Sequence, residues 1–285
     1  MTPWLRGPRT WRDRLGSVLL YAVCLVFALP VYWMLVLSMS RPDQAASTSP
    51  PLVPTTPLRN FDAVLTAQDW PRYFTNTTFV ALSIALLATL TSCLAAYALV
   101  NVRLPAKRIL FGVVIAAFVV PSELSFVPNF AVMRTAGLLN TYWALIVPFM
   151  ASPLGIFIMR QRFLSLPREL WEIAHLEGCS HLRYLFTIAL PSSRAAVATT
   201  ALISFIAGWN LFEWPLIFTT DESVRPVQVA LSYFNNVDAG SSPTVLAAAG
   251  VLVTAPVLTV YLLARRQVTA AMTGDAPERK PAARR

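Results

Sequence analysis

The sequence predicts an all-α membrane protein with about six transmembrane helices. Three observations carry that expectation. Hydrophobic residues fill 56% of the 285 positions and charged residues only 13%, about half the charged share of a soluble domain. Six apolar runs are long enough to cross a bilayer, at roughly 20 residues per span. The basic residues gather in every second connection between those runs, which is the pattern that sets topology.

The first span is Leu15 to Met39, preceded by Arg6, Arg9, Arg12 and Arg14 and interrupted by Pro30, which is expected to kink it. Its length and the lack of a small-residue cleavage site argue against a signal peptide. Residues 40–73 form a proline-rich polar connection, with amphipathic pieces such as Phe61 to Leu65 suited to a membrane surface. Further spans are expected at 75–100, 109–133, 141–163, 194–219 and 242–264. With the N-terminus inside, 18 of the 23 basic residues fall on the cytoplasmic side and 5 outside. Both termini are then cytoplasmic: residues 1–14 precede a membrane domain at 15–264, and 265–285 form a Pro/Arg/Ala-rich tail expected to be disordered.

The net charge of +9 is spread over short inter-span segments, so it does not indicate nucleic acid. Cys24, Cys93 and Cys179 form no CxxC motif, and two histidines, His175 and His181, cannot build a metal site alone. The metal-site expectation is therefore none, and the same holds for catalytic residues: there is no GxSxG, no His/Asp cluster and no paired acids at catalytic spacing.

The connection from 164 to 191 is too long for a turn and reads as two helices. Ser165 can cap the first, with Pro167 and Glu169 in its first turn. Leu170, Ile173 and Ala174 give it an apolar strip, and Gly178 ends it with a sharp turn. Ser180 can cap the second, which carries Leu182, Leu185 and Phe186, and Pro191 stops or kinks it. Periodicity alone leaves open a surface helix that merely joins two spans.

The run Glu172-Ile173-Ala174-His175-Leu176-Glu177-Gly178, followed by Ile188-Ala189-Leu190-Pro191, resembles the EAA loop of binding-protein-dependent importer permeases of the ATP-binding cassette (ABC) class. The spacing matches, with Ile173 for the first alanine and Glu177 for the usual aspartate. Asn76-Thr77, Ala95 to Leu99, Gly137 to Thr141 and the Trp209-Asn210…Trp214-Pro215-Leu216 run resemble the maltose/oligosaccharide branch, in particular its smaller permease subunit. The Thr273-Gly274-Asp275 end departs from that branch.

The resemblance implies a type I ABC importer fold in a bacterial inner membrane. It also implies a coupling helix in which Glu172 anchors to an ATPase, Ala174 permits close approach and Gly178 sets the turn, with Glu177 beside it. The partners it implies are a second permease, a dimer of ATP-binding subunits, an extracytoplasmic solute-binding protein and lipid. No GxxxxGK[ST] occurs in the chain, so ATP and Mg²⁺ belong to the partner ATPase. The implied cargo is a mono- or oligosaccharide, with a glycerophosphodiester or polyol as the alternative. Carboxylates at membrane depth are costly and face cavities or partners. Glu123, Trp209, Asn210, Glu213, Trp214 and Pro215 are therefore candidates for the translocation pathway, the carboxylates and amides for sugar hydroxyls and the indoles for stacking on rings. An ion-coupled secondary transporter would show repeated halves with broken helices, which the sequence lacks.

Overall fold

The computed structural model describes residues 11–45, 52–55, 58–235 and 242–273. Arg6 and Arg9, Asp238 and the tail from 274 lie outside them. Among the described residues every regular element is helical. Three helices among the described residues are each long and apolar enough to cross a membrane, and three bent pairs bring the total there to six if each pair is one span. The described residues form two compact units, one within 11–69 and 231–255 and the other within 70–230 and 256–273.

In the first unit, α1 (Trp11–Ser38) runs through Pro30 as one helix, and α2 (Pro42–Ala45) and α3 (Arg59–Ala67) follow. Most of the α1 surface is exposed apolar side chain, as a lipid- or partner-facing helix requires. Its C-terminal end is secured by buried Asn60, whose amide donates to the carbonyls of Ser38 (2.9 Å) and Ser40 (2.8 Å). These are carbonyls that a helix end leaves without intrahelical partners.

The second unit is built around α4 (Trp70–Asn101). Its 32 residues extend ~48 Å at 1.5 Å per residue. The third predicted span is not one helix. α5 (Lys107–Val119) ends where Val120 turns extended (φ −72°, ψ 122°). A short 3₁₀ turn at Ser122–Ser125 then leads to α6 (Phe126–Thr135), and the chain bends by 97°. The cause is Pro121, whose ring disfavours the helical region for the residue before it. Pro128 falls in the first turn of α6, where an amide hydrogen would have no partner anyway.

The fourth span is α7 (Tyr142–Ile146), a 3₁₀ turn, and α8 (Pro153–Leu164), bent by 42° at Met150–Ser152. Ser152 caps α8 by accepting from the Gly155 amide at 3.0 Å. A Cβ on Gly155 would collide with Ser92 Oγ, and one on Gly208 would meet the Ala81 backbone at 3.0 Å. These two glycines let α8 and the fifth span lie against α4 at backbone distance.

The fifth span is also revised. α9 (Arg168–Leu176), α10 (His181–Tyr184), a π-helical turn at Leu185–Ala189 and α11 (Leu190–Ser192) lead to α12 (Arg194–Trp209). The segment 181–192 meets α12 at 87°, with the break at Ser193. Pro191 therefore does not stop the second loop helix. It lacks an amide hydrogen, and the preceding π turn, in which the Leu190 amide reaches back to Leu185, absorbs the mismatch. After a break at Asn210–Phe212 the chain continues as α13 (Glu213–Phe218) and α14 (Val227–Ser232). α15 (Pro243–Thr273) runs past Arg265 and Arg266, so residues 265–273 are helical and do not belong to an unstructured tail.

Candidate functional site

The 164–191 connection folds as a helix–turn–helix. Gly178 sits at φ +74°. The Cys179 amide donates to Ala174 O (2.9 Å) and the Gly178 amide to His175 O (3.1 Å). This pair of bonds is a Schellman termination, which requires the left-handed conformation that glycine adopts without a Cβ penalty. Ser180 caps α10, accepting from the Arg183 amide at 3.4 Å.

Ser165 does not cap α9. Its hydroxyl donates back to Arg162 O at 2.7 Å, and Pro167 occupies the capping position with no side-chain bond. The reason is that α8 continues to Leu164, so Ser165 closes the preceding helix.

The apolar strip divides differently from the sequence expectation. Ala174 is buried in the chain's own core with Cys93, Tyr97, Met159, Phe163 and Tyr184. Its small side chain thus serves packing of the loop onto α4 and α8, and does not face outward. Leu170, Ile173, Leu176, Leu182 and Phe186 are exposed, Leu176 by 88%. Glu172 and Glu177 are exposed beside them.

An aromatic cluster, which the sequence reading missed, fixes this loop. Trp171 lies near-parallel to the imidazoles of His175 (5.3 Å) and His181 (4.8 Å) and meets Tyr184 edge-on (4.9 Å). Tyr97 of α4, 4% exposed, touches Phe163, Trp171, His181 and Tyr184. Its hydroxyl is 3.1 Å from His181 Nδ1. Arg162 Nη2 donates to Ser192 O at 2.6 Å, tying α8 to the far end of the loop. A recess of about 310 Å³ lies beside the cluster, lined by Asn101, Arg168, Trp171 and Glu172 among others. The signal in sequence was four aromatic or histidine residues within 171–184, of which Trp171, His181 and Tyr184 share a target on α4 about 80 positions away.

Twenty-one residues earlier on α4, ~32 Å along its axis, is a polar counterpart. Buried Asn76 donates to the carbonyls of Ser223 (2.9 Å) and Arg225 (3.0 Å) and accepts from Tyr142 Oη (2.7 Å). Thr77 Oγ1 accepts the Val227 amide at 2.7 Å. Asn140, at φ +60°, accepts from the Thr220 amide (2.6 Å), the Thr220 hydroxyl (3.1 Å) and the Asp221 amide (3.0 Å). Asp221 in turn accepts the Ser223 amide (2.8 Å), and this bond with the Ser223 hydroxyl holds its carboxyl below the usual carboxylate range. The resemblance motifs Asn76-Thr77 and Gly137 to Thr141 thus hold the 219–227 connection.

The pathway candidates separate. Asn210, Glu213 and Trp214 line one recess of about 270 Å³ with Ser122, Phe126 and Phe149. Glu123 is not among its lining residues; its carboxylate accepts from Ser122 Oγ (3.0 Å) in the 3₁₀ turn made by the Pro121 bend. Trp209 and Trp214 are 3% and 4% exposed. Trp209 packs on Phe205 and Phe74. Trp214 stacks on Phe218 at 4.0 Å and donates Nε1–H to Ala144 O at 2.9 Å. With their faces engaged, the two indoles are core residues and do not offer a stacking platform; Pro215 is buried with them. A second recess of about 260 Å³, shared through Phe149, is almost wholly apolar and runs along Ile84, Ala88, Leu154 and Gly208.

Comparison with known proteins accords with this architecture. The family model described as "Binding-protein-dependent transport system inner membrane component" matches residues 88–273. The sn-glycerol-3-phosphate transport system permease protein UgpE of Rhizobium meliloti (strain 1021) is 30% identical over 261 residues, covering 88% of this chain and 93% of that protein. The trehalose/maltose transport system permease protein MalG of Thermococcus litoralis is 32% identical over 267 residues, covering 92% and 94%. A chain from a bacterial ABC transporter involved in the import of the acidic polysaccharide alginate shares the fold, with a TM-score of 0.77 at 24% identity over 90% of this chain and 98% of that one. This chain accordingly belongs to the family of binding-protein-dependent transport system inner membrane components, the permeases of ABC importers.

Proposed function

We propose that this permease forms one half of the pathway for a neutral mono- or oligosaccharide in a bacterial inner membrane, and that the 164–191 loop carries ATPase motion into it. The observation that supports coupling most directly is the loop's build. Two helices are held at a fixed angle by the Gly178 turn, clamped to α4 by Tyr97, and present Glu172 with an exposed apolar edge of Leu170, Ile173 and Leu176. The occupant that suits it is a cleft on an ATP-binding subunit, with Glu172 as the polar anchor and Glu177 and Gly178 shaping the turn. ATP and Mg²⁺ would reside in that subunit, and a second permease and a solute-binding protein would complete the importer.

The neutral cargo is favoured by the recess at Asn210. Glu213 is the charged residue among those lining it, and Ser122 and Asn210 supply hydroxyl and amide groups. A phosphorylated solute calls for cations there. The relative named for sn-glycerol-3-phosphate keeps a glycerol phosphate ester as the second reading.

The test is purification of the chain in mild detergent from its native membrane, with the associated proteins identified and the recovered binding protein titrated with sugars and with sn-glycerol-3-phosphate. Recovery of an ATP-binding subunit, a second permease and a sugar-binding protein is expected. A stable homo-oligomer without an ATPase would overturn the coupling reading, and a binding protein selective for sn-glycerol-3-phosphate would overturn the neutral cargo. In the recovered complex, Glu172→Ala should abolish solute uptake into vesicles while leaving the spans folded.

A further inference from the structure

We propose that α4 is the rod that carries the stroke across the membrane, and that Tyr97 is the positioning residue that joins it to the coupling loop. The inference rests on the coupling reading above. The loop is continuous in sequence with α8 and, through the right-angle break at Ser193, with α12, but not with α4. Motion of the loop therefore reaches α4 directly through side chains, and otherwise only by way of α8 and α12 where they pack on it. Tyr97 is where those side chains converge: Phe163 from α8, Trp171 from α9, and His181 and Tyr184 from α10 all meet its ring, and His181 meets its hydroxyl.

The other end of α4 is fastened as firmly. Asn76 and Thr77 hold the backbone at Ser223, Arg225 and Val227. The two attachment points lie ~32 Å apart along the helix, close to the ~30 Å hydrocarbon thickness. Between them α4 is flanked at backbone distance by α8 at Gly155 and by α12 at Gly208, so it is braced against bending. Closely packed elements move as bodies rather than deforming continuously. A displacement delivered at Tyr97 should then appear at the 219–227 connection without loss.

The experiment measures that transfer in the whole transporter, purified with its ATPase subunits into lipid nanodiscs. Spin labels are placed at two exposed positions, Arg183→Cys in α10 and Glu222→Cys in the far connection, on a background without the native cysteines. Distances are recorded without nucleotide and with ATP trapped by vanadate. In the wild-type background the Arg183–Glu222 distance should be the same in both states. With Tyr97→Leu it should match wild type without nucleotide and shift or broaden on trapping, because the loop moves and the far end stays behind. Tyr97→Phe, which keeps the ring, should show a smaller shift and serves as the variant if the leucine form fails to assemble. A distance in Tyr97→Leu that is unchanged by trapping, or a wild-type distance that itself changes, would overturn the rod. Failure of the wild-type chain to recover an ATPase would instead overturn the coupling reading on which the rod depends.

Discussion

The two ends of α4 solve the same problem, holding a connection to a helix, with different chemistry. At Tyr97 the joint is made of rings: two tyrosines (Tyr97 and Tyr184), Trp171, Phe163 and the imidazoles of His175 and His181, with a single hydroxyl–imidazole contact. At Asn76 it is made of directed bonds to backbone atoms of Ser223, Arg225 and Val227. Ring packing tolerates small slides, because dispersion and quadrupole contacts change gradually with offset. Hydrogen bonds weaken steeply once their angles are lost. The ring joint suits a loop pushed by a moving partner, and the bonded joint suits a connection that must keep its register.

The largest effect that would break this contrast is Asn76→Ala. It leaves two carbonyls and the Tyr142 hydroxyl without their partner at a site 3% exposed, at about 1–3 kcal/mol for each group left unsatisfied. Melting of the chain followed by a thiol-reactive dye at buried Cys93, with exposed Cys24 and half-buried Cys179 replaced, should fall by several degrees; an unchanged melt would mean that water replaces the amide freely.

Next is Gly178→Ala. A Cβ there meets no atom, so the cost is backbone strain at φ +74° alone, about 1–2 kcal/mol. The melt should drop modestly, and ATPase-coupled uptake should drop far more if turn geometry matters to docking. Equal losses in both would reduce Gly178 to a stability residue.

Two tyrosines then sharpen the comparison. Tyr142→Phe orphans a buried amide oxygen, whereas Tyr97→Phe leaves an exposed imidazole that water can serve. Both remove one bond of about 1 kcal/mol, but the Tyr142 variant should melt lower of the two. The reverse order would show that the ring joint depends on its hydroxyl. The smallest pair is Ser180→Ala, a lost cap of about 1 kcal/mol, against Ser165→Ala, expected within about 0.5 kcal/mol because its hydroxyl caps nothing.

Much of this was legible in the sequence because it is local. Six apolar runs, a glycine at the turn and a serine at the start of the second loop helix each follow from residues within a few positions of one another. What was illegible depends on partners far apart in the chain. Ala174 and Ile173 look alike as members of an apolar strip; only the position of Tyr97 makes one inward and the other outward. Trp209 and Trp214 read as free stacking surfaces for a sugar ring until Phe205, Phe218 and Ala144 engage them. Asn76 carries no periodic signal, since its partners lie 147 and 149 residues away. Pro121 was visible, but its sequence context gave no means of telling a tolerated kink from a 97° bend.

That bend has a consequence for the lipid. α5 contains 13 residues before it turns away, a length of ~20 Å against a hydrocarbon layer of ~30 Å. Apart from Phe111, which rests on Phe157 and Arg160 of α8, most of α5 is left exposed by the rest of the chain, and it is shorter than the hydrocarbon layer. Around this helix the bilayer must thin, or a neighbouring subunit must shield the remaining depth. Where lipid rather than a subunit covers α5, the thickness of the surrounding membrane becomes a variable of transport.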